Sequence, residues 1–266
     1  MCGIEDLKRA LHTECAICCF GILALSVAIV YFLYYIIKDL YISSTIPTLK
    51  IDVTEAEKND DLKSVLFKRE EHTDKDIVPC YDPSTMQFLG NLPAMSTAEV
   101  KSIIQKSKVA AQEWRKSSFS ARRKLLRILL KFIIENQETI CRVSARDSGK
   151  PIIEAVVGEV VVTCEKIHWL INEGEKHLKP DERSAGIMAF YKKARVEYHP
   201  VGVIGAIVPF NYPFHNVLNP LTAALFSGNS IVIKVSEHAS WSTGYYGRFI
   251  RAALAAAGAP ANLVQF

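Results

Sequence analysis

The alternation across residues 201–266 constrains the fold more tightly than any other feature of the chain. Val201-Gly-Val-Ile-Gly-Ala-Ile-Val208, Ser230-Ile-Val-Ile-Lys-Val235 and Leu263-Val-Gln-Phe266 are short, apolar and β-branched, the composition of buried strands. Between them, Asn216–Phe226 and Trp241–Ala257 read as helices closed by Gly228 and Gly258. A β-α-β-α-β run of this kind predicts a right-handed parallel sheet whose ligands lie beyond the carboxyl ends of the strands.

Two loops fall at those ends. The first, Pro209-Phe-Asn-Tyr-Pro213, holds Asn211 between two aromatic residues and two prolines, so a polar side chain is fixed stiffly at a strand end. The second, Lys234-Val-Ser-Glu237, sets an acidic residue after the second strand, where it could accept hydrogen bonds from adenosine ribose hydroxyls with a lysine donating beside it. A Lys–Glu pair is also a common surface ion pair of little energetic weight, and these residues alone leave both readings open. Gly202 and Gly205 do not make a Gly-x-Gly-x-x-Gly fingerprint.

Upstream, Val78-Pro-Cys-Tyr-Asp and Phe88-Leu-Gly-Asn-Leu read as two short strands around a turn. Ser96-Thr-Ala-Glu99 is a capping box that should open a helix to about Lys116. A second helix is expected over Ser120–Asn136, with Ser120, Lys124, Arg127, Lys131 and Glu135 opposite Leu125, Leu126, Leu129 and Ile133. Gln137–Ser148 continues helical to Gly149, and Pro151 opens a further helix to about Asn172. Gly186–Tyr191 and Ala194–His199, joined at Lys192-Lys193, read as an antiparallel hairpin.

Near the N-terminus, Cys15 to Ile37 carries no charge. As a helix it would extend roughly 34 Å, enough for a hydrocarbon core of about 30 Å, with Tyr31, Tyr34, Tyr35 and Lys38 as interfacial anchors. It is too long for a signal h-region, so a retained single span is expected. Lysines and arginines flank it evenly. The absence of an Asn-x-Ser/Thr sequon beyond the span, and only three widely spaced cysteines there (Cys80, Cys141 and Cys164), favour a cytosolic main domain. Cys15, Cys18 and Cys19 could carry palmitoyl chains or pack within the helix, packing being the simpler account. Residues 41–76 are polar and read as a tether. A net charge of +4 over 266 residues gives no support to nucleic-acid binding. No metal site is expected.

With these segments placed, the chain resembles the aldehyde dehydrogenase superfamily. His199-Pro-Val-Gly-Val-Ile-Gly-Ala-Ile-Val-Pro-Phe-Asn-Tyr-Pro213 is similar to the family's Pro-x-Gly-Val-x-x-x-Ile-x-Pro-Trp-Asn-x-Pro. Ala224-Leu-Phe-Ser-Gly-Asn-Ser-Ile-Val-Ile-Lys-Val-Ser-Glu237 resembles Ala-Leu-x-x-Gly-Asn-x-x-x-x-Lys-x-x-Glu, and Ala257-Gly-Ala-Pro260 fits Ala-Gly-x-Pro. The resemblance covers Val78 to Phe266, and the N-terminal span points to a membrane-anchored, family-22-like branch. The implied fold class is α/β: an N-terminal transmembrane helix, then helices and a β-hairpin, then an incomplete parallel Rossmann-type sheet. The implied domains are residues 1–40 (tail and span), 41–76 (tether), 77–200 (helical region with bridging hairpin) and 201–266 (first half of an NAD-binding domain).

The resemblance also implies roles. Asn211 matches the side-chain amide that donates to the oxyanion. Lys234 and Glu237 match the ribose-holding pair, with Ile207, Pro209, Phe210 and Ser236 beside the cofactor. A carboxylate at position 237 favours NAD over NADP by charge repulsion against a 2′-phosphate. Phe210 stands where the family commonly has tryptophan. The 186–199 hairpin matches the oligomerisation strands, implying a homo-oligomer. The expected substrate is an aldehyde, oxidised to the acid; an anchor in an endomembrane, endoplasmic reticulum or secretory, hints at long-chain aldehydes. The family's Leu-Glu-Leu-Gly-Gly-Lys and Gly-Gln-x-Cys segments, which hold the general base and the nucleophile, do not occur in these residues. The chain is therefore expected to be an inactive N-terminal part, or a non-catalytic anchored form that associates with full-length subunits.

Overall fold

The computed structural model describes residue 3, residues 25–34, 37, 41, 44–58 and 77–266. They fall into two compact units, Met1–Pro47 and Thr48–Phe266.

In the first unit, residues 25–34 are helical, and Leu25, Val27, Ile29, Val30, Phe32 and Leu33 are all exposed. Among the described residues, no helix is long and apolar enough to cross a membrane. Much of the expected span, with Cys15, Cys18 and Cys19, lies outside the described residues.

The second unit opens with a short helical turn, Glu55–Lys58. Strands β1 (Ile77–Tyr81) and β2 (Phe88–Pro93) pair antiparallel around a turn in which Asp82 accepts from Ser84 and Thr85. Helix α1 (Thr97–Trp114) begins at the capping box, with both reciprocal bonds between Ser96 and Glu99 formed. Helix α2 (Phe119–Glu135) follows with Ser118 as its cap, and α3 (Gln137–Ser148) ends at Gly149 in the left-handed conformation. Helix α4 begins as Ile152–Ala155, widens into π geometry over Val156–Val161 and resumes as Val162–Asn172. Then come β3 (Asp181–Arg183), β4 (Ala194–Val196), β5 (Val203–Ile207), α5 (Pro213–Phe226), β6 (Ser230–Lys234), α6 (Ser242–Ala257) and β7 (Val264–Gln265).

Strands β5, β6 and β7 form the expected parallel sheet in that order. The buried face of α2 (Leu125, Leu126, Leu129, Phe132, Ile133) packs on α4 and α6, with Phe132 stacked on Phe249 at 4.7 Å. Two side chains lock the end of α5 to its neighbours. Trp114 donates its indole N–H to the Leu225 carbonyl at 2.8 Å. Buried Arg122 donates to Phe226 O and Arg115 O, each at 3.1 Å, satisfying carbonyls that helix ends leave orphaned.

Four expectations need correction. Strand β5 is half-buried rather than buried, because it lies at the edge of the described sheet with one side unpaired. The hairpin pairs Asp181–Arg183 with Ala194–Val196, so its first strand lies upstream of Gly186. Residues 187–189 form a 3-10 turn instead; Ile187 and Met188 are 91% and 92% exposed, so no core face enforces the alternating strand pattern there. The residues expected as tether include a docked portion: Glu57 is buried, and both its carboxylate oxygens accept from Arg248 of α6 at 2.6 Å. Finally, the helix after Pro151 is not uniformly α, since its second turn is π.

Candidate functional site

Strands β5 and β6 finish side by side, with Ile207 opposite Lys234, and the Val208 amide extends the ladder by donating to Lys234 O at 3.0 Å. That register brings the two informative loops to one edge of the sheet. Ile207 is 85% exposed there, and Pro209, Phe210 and Asn211 are exposed beside it. On the neighbouring loop, Lys234 and Glu237 pair at 3.1 Å. Ser236 caps the following 3-10 turn, accepting from the His238 amide at 3.3 Å. The Phe210 ring meets His238 edge-to-face at 5.8 Å, joining the loops. A cleft of about 280 Å³ opens beside them, lined by Cys80, Tyr81, Asp147, Phe210, Glu237 and His238.

Glu237 is ionised at neutral pH: its own backbone amide first, and then Lys234, hold its carboxyl below the usual range. It can therefore accept from hydroxyls and repel anions. Every residue marked in the sequence for the cofactor (Ile207, Pro209, Phe210, Lys234, Ser236 and Glu237) lies on this edge with Asn211.

The Asn211 loop is anchored from below by groups that sequence reasoning missed. Lys150 donates to the Asn211 carbonyl at 2.6 Å, and its ammonium sits 4.1 Å from the Tyr212 ring centroid. The same ammonium meets the Glu159 carboxylate at 2.8 Å. Ser144 donates to that Glu159 oxygen too, while the other oxygen accepts from the amides of Phe214 and His215 at 2.7 and 3.1 Å. Those amides belong to the first turn of α5, where helices present unpaired N–H groups and favour negative charge. Glu159 lies inside the π segment of α4, and Gly158 leaves room for Tyr212: a Cβ at 158 would stand 2.8 Å from its ring. The available signal was a lone carboxylate in the apolar run Val156-Val-Gly-Glu-Val-Val161.

The three cysteines of the second unit are poor nucleophiles. Burial, with the nearby Glu159 charge, pushes Cys141 up to about 11; burial pushes Cys164 up to about 11 and raises Cys80 as well.

A family model described as the aldehyde dehydrogenase family matches residues 69–266. An aldehyde dehydrogenase-like protein of Saccharomyces cerevisiae is 42% identical over 191 residues, covering 71% of this chain and 30% of that protein. An NADP-dependent glyceraldehyde-3-phosphate dehydrogenase of Streptococcus equinus is 33% identical, covering 71% of this chain and 39% of its own length. The chain thus spans well under half of these relatives. Among solved structures, an aldehyde dehydrogenase of Brucella melitensis superposes with a TM-score of 0.63 at 26% identity, covering 71% of this chain and 37% of that one. A glyceraldehyde-3-phosphate dehydrogenase of Methanocaldococcus jannaschii complexed with NADP gives 0.66 at 23% identity, over 72% of this chain and 41% of that one, a likeness of fold alone.

Proposed function

We propose that this chain, which belongs to the aldehyde dehydrogenase family, carries the oxyanion donor and the adenosine-ribose anchors of an NAD-dependent oxidation of aldehydes to carboxylic acids. The observation that carries the proposal is the convergence of Asn211 and the Lys234–Glu237 pair at one strand-end edge, tied together by the bond from Val208 N to Lys234 O.

The residues present fit a dinucleotide. An exposed carboxylate and ammonium offer an acceptor and a donor to ribose hydroxyls, and exposed Ile207 offers an apolar wall. NAD, when bound, supplies the hydride acceptor. Glu237 excludes a 2′-phosphate by repulsion and so selects NAD over NADP. Asn211 donates its side-chain N–H to the aldehyde oxygen as negative charge develops there; one such donor contributes a factor of about 10²–10³ in rate. The attacking thiolate and the base come from outside these residues, and the chain by itself is inactive.

We place the protein at a membrane through residues 15–37, single-pass, in the endoplasmic reticulum or secretory pathway with its main domain cytosolic, where lipid-derived long-chain aldehydes are available. The charge-free stretch and the exposed apolar helix at 25–34 support this. Persistence of the full chain in the pellet after alkaline carbonate extraction is expected; release to the supernatant would overturn it. Exposed Ile187, Met188, Phe190 and Tyr191 support association through the 186–199 segment, as a homo-oligomer or, in a second reading, as a non-catalytic form joined to full-length subunits.

Equilibrium titration with NAD tests the central proposal. The Glu237→Ala chain should bind NAD about tenfold more weakly, the scale of one hydrogen bond to a charged group. Equal affinity would remove the ribose assignment.

A further inference from the structure

We infer that Asn216 is a positioning residue that decides which end of the Asn211 amide faces outward. An amide's oxygen and nitrogen are nearly the same in shape, so only neighbours distinguish the two orientations. The Nδ2 of Asn216 lies 3.3 Å from the Pro209 carbonyl oxygen. That oxygen can only accept, so the end of Asn216 facing it must be the N–H end. The same Nδ2 lies 3.2 Å from the Oδ1 of Asn211. A donor must meet an acceptor there, which turns the Asn211 oxygen inward. Its Nδ2 is left free, with no hydrogen-bond partner among the described residues.

The orientation therefore passes in two steps, from Pro209 to Asn216 and from Asn216 to Asn211. The backbone that carries Asn216 is itself fixed, because its main-chain N–H donates to Tyr212 O at 2.9 Å on a helix turn that Glu159 caps. A donor so aligned needs no reorganisation when charge develops near it. The inference rests on the proposed role of Asn211 as an oxyanion donor, but the orientation can be tested without it.

The test is nuclear magnetic resonance of side-chain amides in the ¹⁵N-labelled full chain in detergent micelles. The Asn216 side-chain protons should exchange with solvent about tenfold more slowly than those of Asn211, since the former are bonded and the latter free. Asn216→Asp puts an acceptor in place of the donor. The Asn211 amide should then turn over, with its protons shifted and becoming the slow pair. Asn216→Ala should leave the Asn211 protons fast while changing their shift, and it keeps the test decisive if the aspartate variant does not fold. Slow Asn211 protons in the parent chain, or an Asn211 signal unchanged in the variants, would overturn the inference. Failure of the oxyanion role would show differently, as an Asn211→Ala change that leaves aldehyde oxidation intact in a full-length protein that carries these residues together with the thiolate and the base, while the amide signals behave as expected.

Discussion

Lys150 and Glu159 meet at 2.8 Å with side chains only 7% and 0% exposed, and their pair lies beneath the backbone of Asn211. Buried ion pairs add little net stability when both charges are present, because desolvation offsets attraction, but removing one partner strands the other. Glu159→Leu should therefore cost about 3–5 kcal/mol, since it also leaves the Phe214 and His215 amides unpaired. Adding Lys150→Met should recover part of that loss and not all of it, the two amides remaining bare. Urea midpoints read at constant slope check both figures. A single-variant cost under about 1 kcal/mol would show that water reaches the pair.

This pair also marks the limit of what the sequence makes legible. The Ser96–Glu99 capping box and the Gly149 and Gly258 helix ends are local chemistry, and the structure forms all three. The alternation after residue 200 fixes the parallel sheet, because each strand and helix has its own period. Glu159 escaped because its partners are nine or more residues away, on α3, at Lys150 just beyond it and on α5, and a π turn shifts the helix face that carries it. The hairpin was misplaced for the opposite reason: Ile187, Met188 and Phe190 look like strand residues but are 84–92% exposed among the described residues. In the candidate site, the placement of Asn211 and Glu237 at neighbouring strand ends was legible through their loops. Asn216 was not, since only the turn into α5 folds its side chain back onto Pro209 and Asn211, and His238 was not, since only the assembled strand ends bring it to Phe210.

Gly158 gives a smaller, more local test. A methyl group there would lie 2.8 Å from Tyr212 Cε1, too close for an aromatic ring to ignore. Gly158→Ala should displace the ring from Lys150 and cost about 1–3 kcal/mol, the range for overpacking. Thermal unfolding gives the cost. Altered Tyr212 ring signals with the rest of the spectrum unchanged would locate it, and unchanged ring signals would contradict the contact.

Asp147 makes stability depend on pH in a direction opposite to most carboxylates. Burial raises its carboxyl from the ordinary 3.8 to about 6, against the lowering effect of its bonds to Ser242 and Trp241. The native state then holds a proton that the unfolded chain releases between those values. The resulting stability is full below the ordinary value and lost as pH rises through about 6. Asp147→Asn keeps an oxygen for the Ser242 amide and never ionises. The parent chain should lose about 2 kcal/mol relative to this variant between pH 4 and pH 7, the equivalent of a little less than the roughly two pH units between the folded and unfolded values. Unfolding free energies of the two proteins at both pH values provide the difference, and other carboxylates cancel in it. A difference constant with pH would mean that Asp147 titrates normally.

The proposed preference for NAD rests on one exposed carboxylate. Glu237 is ionised, and a 2′-phosphate on the ribose it is proposed to hold would add roughly two negative charges within a few ångströms of it. Glu237→Gln keeps an acceptor for the hydroxyl and removes the repulsion. The ratio of NADP to NAD affinity should rise about tenfold in this variant, discounted from the bare Coulomb value because the group is solvated. Raising salt to about 1 M, where the screening length is near 3 Å, should narrow the parent chain's preference and leave the variant's almost unchanged. Competitive titration of both dinucleotides at two salt concentrations reads all four ratios. Selection by charge requires that mutation and salt move the parent ratio in the same direction; a preference that survives both would have to come from the shape of the cleft beside Phe210 and His238, and the assignment to Glu237 would be withdrawn.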